Sequence, residues 1–363
     1  MAAPVAVSVP GKLILMGEHA VVYGRPALAA AVDLRLTVRL GPLSSGAPAR
    51  VRLELPGLGL VAGTSWSAVR DYARRAREAW ESYAGQPSPE RFRALRGGDP
   101  AHVVKVALGE AMESLGGEAP EGGHLRIASS LPIGSGFGSS AATAVGVIAA
   151  YLAWRSAPLD PERIEPLALE VERRQHGLPS GVDTATVLRG GLLWARKTDG
   201  GLESAAVAAR SPLLARLRVY DTGQPPEPTG AVVAAVRSRR DRDPARHERL
   251  LDRIEAAARA LREEMARDVE DPMRPLDLIR DCQACLEELG VVPGPVRSVV
   301  RCVEAEGGAA KISGAGSLAG PGAGSLLVYH PEPERISDWR FLQPFSFHPV
   351  HLGAEGLRLE TDG

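Results

Sequence analysis

The stretch Leu131 to Ala142, LPIGSGFGSSAA, places three glycines and three serines in seven positions and then runs into a helix-forming segment. A strand that ends this way before a helix leaves several backbone N–H groups without intrahelical partners, near the positive end of the helix dipole. That is the chemistry of an anion site, and a polyphosphate suits it. Glycine admits close approach and the dihedrals that turn successive amides inward. A second reading stays open, a tight turn that uses Gly and Ser for backbone tolerance alone. Spacing excludes two familiar phosphate loops. The Walker loop needs Lys-Ser or Lys-Thr after its second glycine, and the dinucleotide fingerprint needs G-x-G-x-x-G where this chain has G-x-G-x-G.

Several ionisable residues stand where a cleft could use them. Lys12 follows Pro10-Gly11, and Glu18-His19 close the same apolar run, beside Gly17. Lysine is scarce in this chain, only Lys12, Lys105, Lys197 and Lys311 among 43 basic residues, so a lysine next to a glycine motif stands out. Glu172 sits at the margin of an apolar helical stripe of Ile164, Leu167, Ala168 and Val171. A carboxylate there needs an arginine or a cation. Asp183, in PSGVDTA, stands at an expected passage from turn to strand, as a turn former or as a functional carboxylate.

The elements that must position these groups follow from apolar periodicity. Val5–Glu18 and Leu28–Leu40 read as paired strands separated by a turn at 23–26, with Val51–Leu55 a third. Helices are expected over 66–82, 101–115 and 139–154, and another opens at Asp160-Pro161-Glu162 and runs to about Gln175. Thr184–Arg196 and Leu213–Thr222 read as strands. The charged run from Arg237 to Glu270 reads as solvated helices, with helices over 276–289 and 296–306 and a strand-turn unit over 311–330 after it. The change from one mixed half to the next falls near 185–200.

The totals limit the partners. With 43 basic and 44 acidic residues the formal charge is −1, which offers no net field for nucleic acid or an anionic membrane. No window is apolar enough for a membrane span and the N-terminus lacks the order of a signal peptide, so a cytoplasmic protein acting on a small molecule is expected. Three cysteines argue against a disulfide framework; Cys282 and Cys285 fall at helical spacing on an apolar face and read as core.

Taken together, three motifs in order, PGKLILMGEHAVVYG, PIGSGFGSSAA and KISGAGSLAGPGAG, resemble those of the GHMP kinase superfamily over residues 10 to about 330, with the mevalonate kinase branch the nearest likeness. GEHAVVYG differs from the galactokinase form, and in ERRQHGLPSGVDTA a glutamate precedes an aspartate by eleven positions, as in that branch. The resemblance implies an α+β, two-domain GHMP kinase fold: an N-terminal domain like ribosomal protein S5 domain 2 over residues 1–190 and a ferredoxin-like C-terminal domain over 191–363. It implies transfer from ATP to the primary hydroxyl of mevalonate, with Mg²⁺.

By the same resemblance Asp183 takes or stabilises the hydroxyl proton, and Lys12 stabilises charge. Ser140 and Glu172 hold the metal. Ser129, Gly134, Ser135, Gly136, Phe137, Gly138, Ser139 and Ser140 bind the nucleotide, with Ser135 and Ser139 along the phosphates. Glu18, His19, Thr229, Gly314, Ala315 and Gly316 border the acceptor. A homodimer is compatible with this reading. One departure is plain: the family's GAG runs on into further glycines, whereas here Gly316 is followed by Ser317-Leu318-Ala319 before Gly320, so the third loop is longer. Lys311 is expected to be a strand residue entering that loop. Phosphomevalonate kinase, another kinase of the superfamily and a catalytically silent nucleotide-binding sensor are the alternatives; retention of Lys12, Glu172 and Asp183 together argues against the sensor.

Overall fold

The computed structural model describes residues 3–43, 50–117, 121–208, 212–267 and 271–360. Val, Leu and Ala alternate or run continuously through two long strands, β1 (Val5–Met16) and β2 (Pro26–Pro42), which pair antiparallel. The other edge of β2 serves two partners. Its Leu36–Pro42 half pairs with β5 (Gly123–Ser129) and its Pro26–Ala30 half with β6 (Leu192–Thr198). β3 (Arg50–Leu55) joins β5 in parallel and β4 (Leu60–Ser65) antiparallel, β7 (Gly201–Ala206) extends β6, and β12 (Arg358–Glu360) covers the outer edge of β1. These eight strands form one sheet.

Helices α1 (Trp66–Gly85), α2 (Pro89–Arg96), α3 (His102–Ser114), α4 (Ser139–Trp154), α5 (Pro161–His176) and α6 (Val182–Arg189) build the rest of this half. α4 is apolar nearly all round because it is covered nearly all round, by β1 and β2 on one side and by α3, α5 and α6 on the others. Gly146 lets it settle on the sheet, since a Cβ there would lie 2.8 Å from Val38 Cγ2. A second, antiparallel sheet has the order β11-β8-β10-β9, from β8 (Leu217–Asp221), β9 (Ala309–Ser313), β10 (Ser325–Tyr329) and β11 (Ser346–His348). With it go α7 (Thr229–Arg242), α8 (Pro244–Met265), α9 (Arg274–Leu289) and α10 (Gly294–Ala305). Among the described residues no helix is long and apolar enough to cross a membrane.

The helix expected over 139–154 has those bounds, and Asp160 caps α5 by accepting from Glu162 N at 3.0 Å. Cys282 and Cys285 are buried on α9, and burial pushes the Cys285 thiol up to about 11. Three readings change. Thr184–Arg196 is not one strand: Gly181, at φ +88°, starts α6, which buries Val182, Ala185, Val187 and Leu188, and the strand begins only after Gly190-Gly191, both at positive φ. The boundary expected at 190/191 falls just before β6, which joins the first sheet, so the first sheet draws strands from beyond it. The charged run, whose residues 268–270 lie outside the described ones, is half buried, with Leu250, Leu251, Ile254, Ala257, Ala258 and Leu261 of α8 in the core.

The helices behind the site are tied by charge. Glu110 on α3 is ion-paired with Arg174 on α5 at 2.8 Å and with Arg77 on α1 at 3.0 Å; Arg174 and Glu110 are both buried. Removing Glu110 would leave the buried Arg174 only the part-exposed Glu170, at 3.3 Å, and breaking a buried ion-paired group in this way is strongly destabilising. Glu110→Leu is therefore expected to cost about 3–5 kcal/mol in urea unfolding, whereas Arg74→Ala, which breaks an exposed pair with Glu78, costs under about 1 kcal/mol.

Candidate active site

Lys12 projects from β1 just after an irregularity in its pairing with β2 between Pro10 and Gly11. There its backbone turns to the glycine loop: Lys12 N donates to Phe137 O at 2.9 Å. Gly11 has room for no side chain, because a Cβ would lie 2.5 Å from Leu131 Cδ2 and 3.0 Å from Phe137 O. The loop is clamped from the other side by the second sheet, where Ser325 N donates to Ser135 O at 2.9 Å. Gly134, Gly136 and Gly138 all hold positive φ, and Gly138 forms the N-cap of α4. A Cβ on Gly138 would sit 2.8 Å from Lys12 Cγ, so this glycine makes space for the lysine stem.

Four charged or polar side chains meet in front of that loop. Lys12 Nζ lies 3.1 Å from Asp183 Oδ2, with Lys12 buried and Asp183 33% exposed at the start of α6. Ser140 Oγ, in the first turn of α4, donates to Glu172 Oε1 at 2.6 Å. Glu172 is buried rather than marginal, and its other oxygen lies 3.7 Å from His176 Nε2, one turn on along α5. Burial pushes its carboxyl above the usual range; His176, the Ser140 bond and Lys12 pull it down, and Asp183 pushes it up. A buried carboxylate this weakly compensated, sharing a hydroxyl, fits a small divalent cation. Among the described residues no three His, Cys, Asp or Glu gather as a metal cluster, so such a cation would depend on these two side chains, water and phosphate oxygens.

Beyond Asp183 the cleft continues along Glu18 and His19. Glu18 and Lys311 form a fully buried ion pair, and Lys311 Nζ also donates to Ile312 O at 2.8 Å. Lys311 is thus the strand residue expected, and its charge is spent on Glu18. His19, at φ 57°, donates from Nε2 to Ala315 O at 2.9 Å in the third loop. Burial holds its imidazole below the usual range. Glu18 Oε2, His19 Nδ1 and Thr184 Oγ1 are buried without a partner among the described residues, and all three residues line the pocket.

Most of the residues singled out in the sequence converge here. Lys12, Glu18, His19, Gly134, Gly136, Gly138, Ser139, Ser140, Glu172, Asp183, Thr229, Gly314 and Ala315 line one pocket. Four do not. Ser135 turns its hydroxyl to Asp221 Oδ2 at 2.6 Å and is buried, so its side chain is committed to the second sheet rather than to the cleft. Phe137 is wholly buried. Ser129 lies at the exposed end of β5 and accepts from Leu131 N. Gly316 packs on the 291 backbone, where a Cβ would meet Val291 O at 2.2 Å. The longer third loop packs on the 222–227 segment, with Ser317 buried and its Oγ donating to Glu227 Oε2 at 2.8 Å.

A model of the GHMP kinases N terminal domain matches residues 101–191. The mevalonate kinase of Bos taurus is 33% identical, over 91% of this chain and 87% of that protein. The chain belongs to the mevalonate kinase family. The Homo sapiens mevalonate kinase is 30% identical over 98% of this chain and 94% of its own length. Among solved structures, a mevalonate kinase superposes with TM-score 0.73 at 20% identity, covering 96% of this chain and 99% of that one. L. major mevalonate kinase in complex with R-mevalonate gives 0.67 at 20% identity, with 96% and 98% covered. At these identities the superpositions establish the GHMP kinase fold.

The family motifs did not mark every wall. His176 lines the pocket and was within reach of the sequence, one helical turn after Glu172. Thr184 was hidden by the strand reading of its segment, and Arg237 by the charge run around it. Gly138→Ala should fold, yet cut kcat/KM about 10²-fold by displacing Lys12. Gly116→Ala has a similar positive φ with nothing within 4 Å of the added Cβ, and should cost only stability, about 1–2 kcal/mol. Steady-state rates beside thermal melts separate the two.

Proposed function

We propose that this chain transfers the γ-phosphoryl group of ATP to the primary hydroxyl of mevalonate, in the cleft between the glycine loop and Asp183. The observation that carries the reading is the pairing of Lys12 with Asp183 at 3.1 Å directly beneath that loop. Membership of the mevalonate kinase family supports the acceptor. In phosphoryl transfer, positioning and charge neutralisation supply most of the rate.

Asp183 accepts the hydrogen bond of the acceptor hydroxyl and aims its oxygen at the γ-phosphorus. As the new O–P bond forms, the proton passes to the carboxylate and the old bond's electrons leave with ADP. Lys12, fixed by Asp183 and by the methylene packing against Gly138, stabilises charge on the transferring group. Amides of Gly134 to Ser140 cradle the phosphates at the start of α4. Ser140 and Glu172 are the residues that would hold Mg²⁺, which would supply neutralisation of the phosphate charge. Glu18, His19 and Thr229 border the acceptor.

A phosphorylated acceptor would need further cations at the reacting end. Lys12 and Arg237 are the only Lys or Arg among the described residues lining the pocket, and Lys12 is already paired. This favours the unphosphorylated acceptor.

An ADP-release assay with mevalonate, phosphomevalonate, galactose and homoserine tests the proposal. Turnover is expected with mevalonate, and turnover only with another acceptor defeats it. Asp183→Asn should lower kcat about 10²–10⁴-fold while ATP still binds. Near-normal turnover would remove Asp183 from its role. Ser140→Ala should raise the Mg²⁺ concentration needed for half-maximal rate, whereas Ser135→Ala should not, because that hydroxyl is held by Asp221.

A further inference from the structure

The arginines of α7 differ in what they do. Arg239 donates to the carbonyls of Leu289 and Gly290, Arg240 pairs with Glu248, and Arg242 folds back on Ser238. Arg237 has no carboxylate within ion-pair distance among the described residues, although Asp241 is one turn away on the same helix. Its side chain lines the pocket. Thr229, Val233 and Arg237 recur at four-residue intervals, with Gly230 and Ala234 beside them, so one face of α7 forms a wall of the cleft.

That wall has a direction. At its start Gly230 abuts the end of α5, where an added Cβ would lie 2.7 Å from His176 O. Arg237 is two turns further on, about 12 Å along the axis, at the end where the 20–23 turn closes the pocket through Val21 and Val22. Burial pushes the Tyr23 phenol up, Arg237 and Arg240 pull it back, and the Asp241 carboxylate pushes it up again. Lys197 stands behind, its Nζ 3.4 Å from Pro179 O in the pocket wall. Burial, then repulsion from Arg173 and Arg237, holds its ammonium below the usual range. Of the cations gathered at this end Arg240 is matched by Glu248 and Arg173 by Glu170, which leaves Arg237 and Lys197 without an acid at ion-pair distance among the described residues.

We propose that Arg237 is the specificity-determining residue that binds the acceptor's carboxylate, at the opposite end of the cleft from the hydroxyl presented to Asp183. The inference rests on the mevalonate reading above. A guanidinium offers a planar fork that matches a carboxylate, and a partly enclosed wall strengthens the pair. The Arg237 site sets the reach of the acceptor: an anionic group at one end and a primary alcohol at the other.

The test compares wild type, Arg237→Gln and Arg237→Lys on mevalonate and on its neutral primary amide, with ATP varied separately. Wild type should prefer mevalonate over the amide. Arg237→Gln should raise the KM for mevalonate about 10- to 100-fold, leave the KM for ATP within twofold, and use mevalonate and amide alike. Arg237→Lys should recover part of the preference. A mevalonate KM within twofold of wild type in Arg237→Gln, or equal losses on mevalonate and the amide, overturns the assignment. A loss of ATP affinity in both variants also overturns it, since the residue would then support the whole cleft. If wild type itself fails on mevalonate, the functional reading falls rather than the role of Arg237 alone.

Discussion

The peptide groups of one glycine loop are shared between two sheets, and the rest of the site depends on that sharing. Phe137 O accepts from Lys12 N on β1, while Ser135 O accepts from Ser325 N and Oγ on β10. Ser135 Oγ adds a bond to Asp221 at the end of β8. The carbonyls of the loop are thereby turned toward the strands on both sides. Glycine is required at 136 and 138 less for flexibility than for proximity: a Cβ on Gly136 would lie 2.8 Å from Ser313 O, and one on Gly138 would strike the Lys12 stem.

Charge is distributed unevenly around this clamp. Glu18 is matched by Lys311 and Asp183 by Lys12, so two of the three carboxylates in the cleft have a cation of their own. Glu172 has a hydroxyl and a neighbouring imidazole instead, deep in the protein. Desolvating a carboxylate with so little compensation is costly. The protein bears that cost where a cation can relieve it. Arg237 shows the opposite imbalance at the other end, a guanidinium with no matching acid among the described residues.

Much of this was legible in the sequence, and the reasons differ by residue. Ser139–Trp154 was readable because an apolar run directly after a glycine turn has few other options, and Asp160-Pro161 because a cap and a first-turn proline are local signals. The gathering of Lys12, Glu172 and Asp183 in one cleft was readable through motif resemblance, not through periodicity. What stayed hidden depended on tertiary partners. The resemblance set Ser140 apart from Ser135, but that the Ser135 hydroxyl is held by Asp221 and not turned to the phosphates depends on the second sheet, which the letters do not show. Val182–Arg189 has β-branched residues that suit a strand, yet Gly181 and the cover of α4 and α5 make it helical. Arg237 is one arginine among many until a helix face is fixed in space.

The pairing of β12 with β1 bears on the order of assembly during synthesis. β1 carries Lys12, and its outer edge is covered only by Arg358–Glu360, the last strand described. Residues 352–357 come along the same route, bridging Val32 and Gly190. A ribosome therefore releases the first sheet with an open edge and must deliver the whole second sheet before the closing strand emerges. Exposed strand edges invite wrong partners. The strand that bears Lys12 is thus among the last of the described strands to be sealed, so this side of the cleft is not fixed until residues 352–360 have docked.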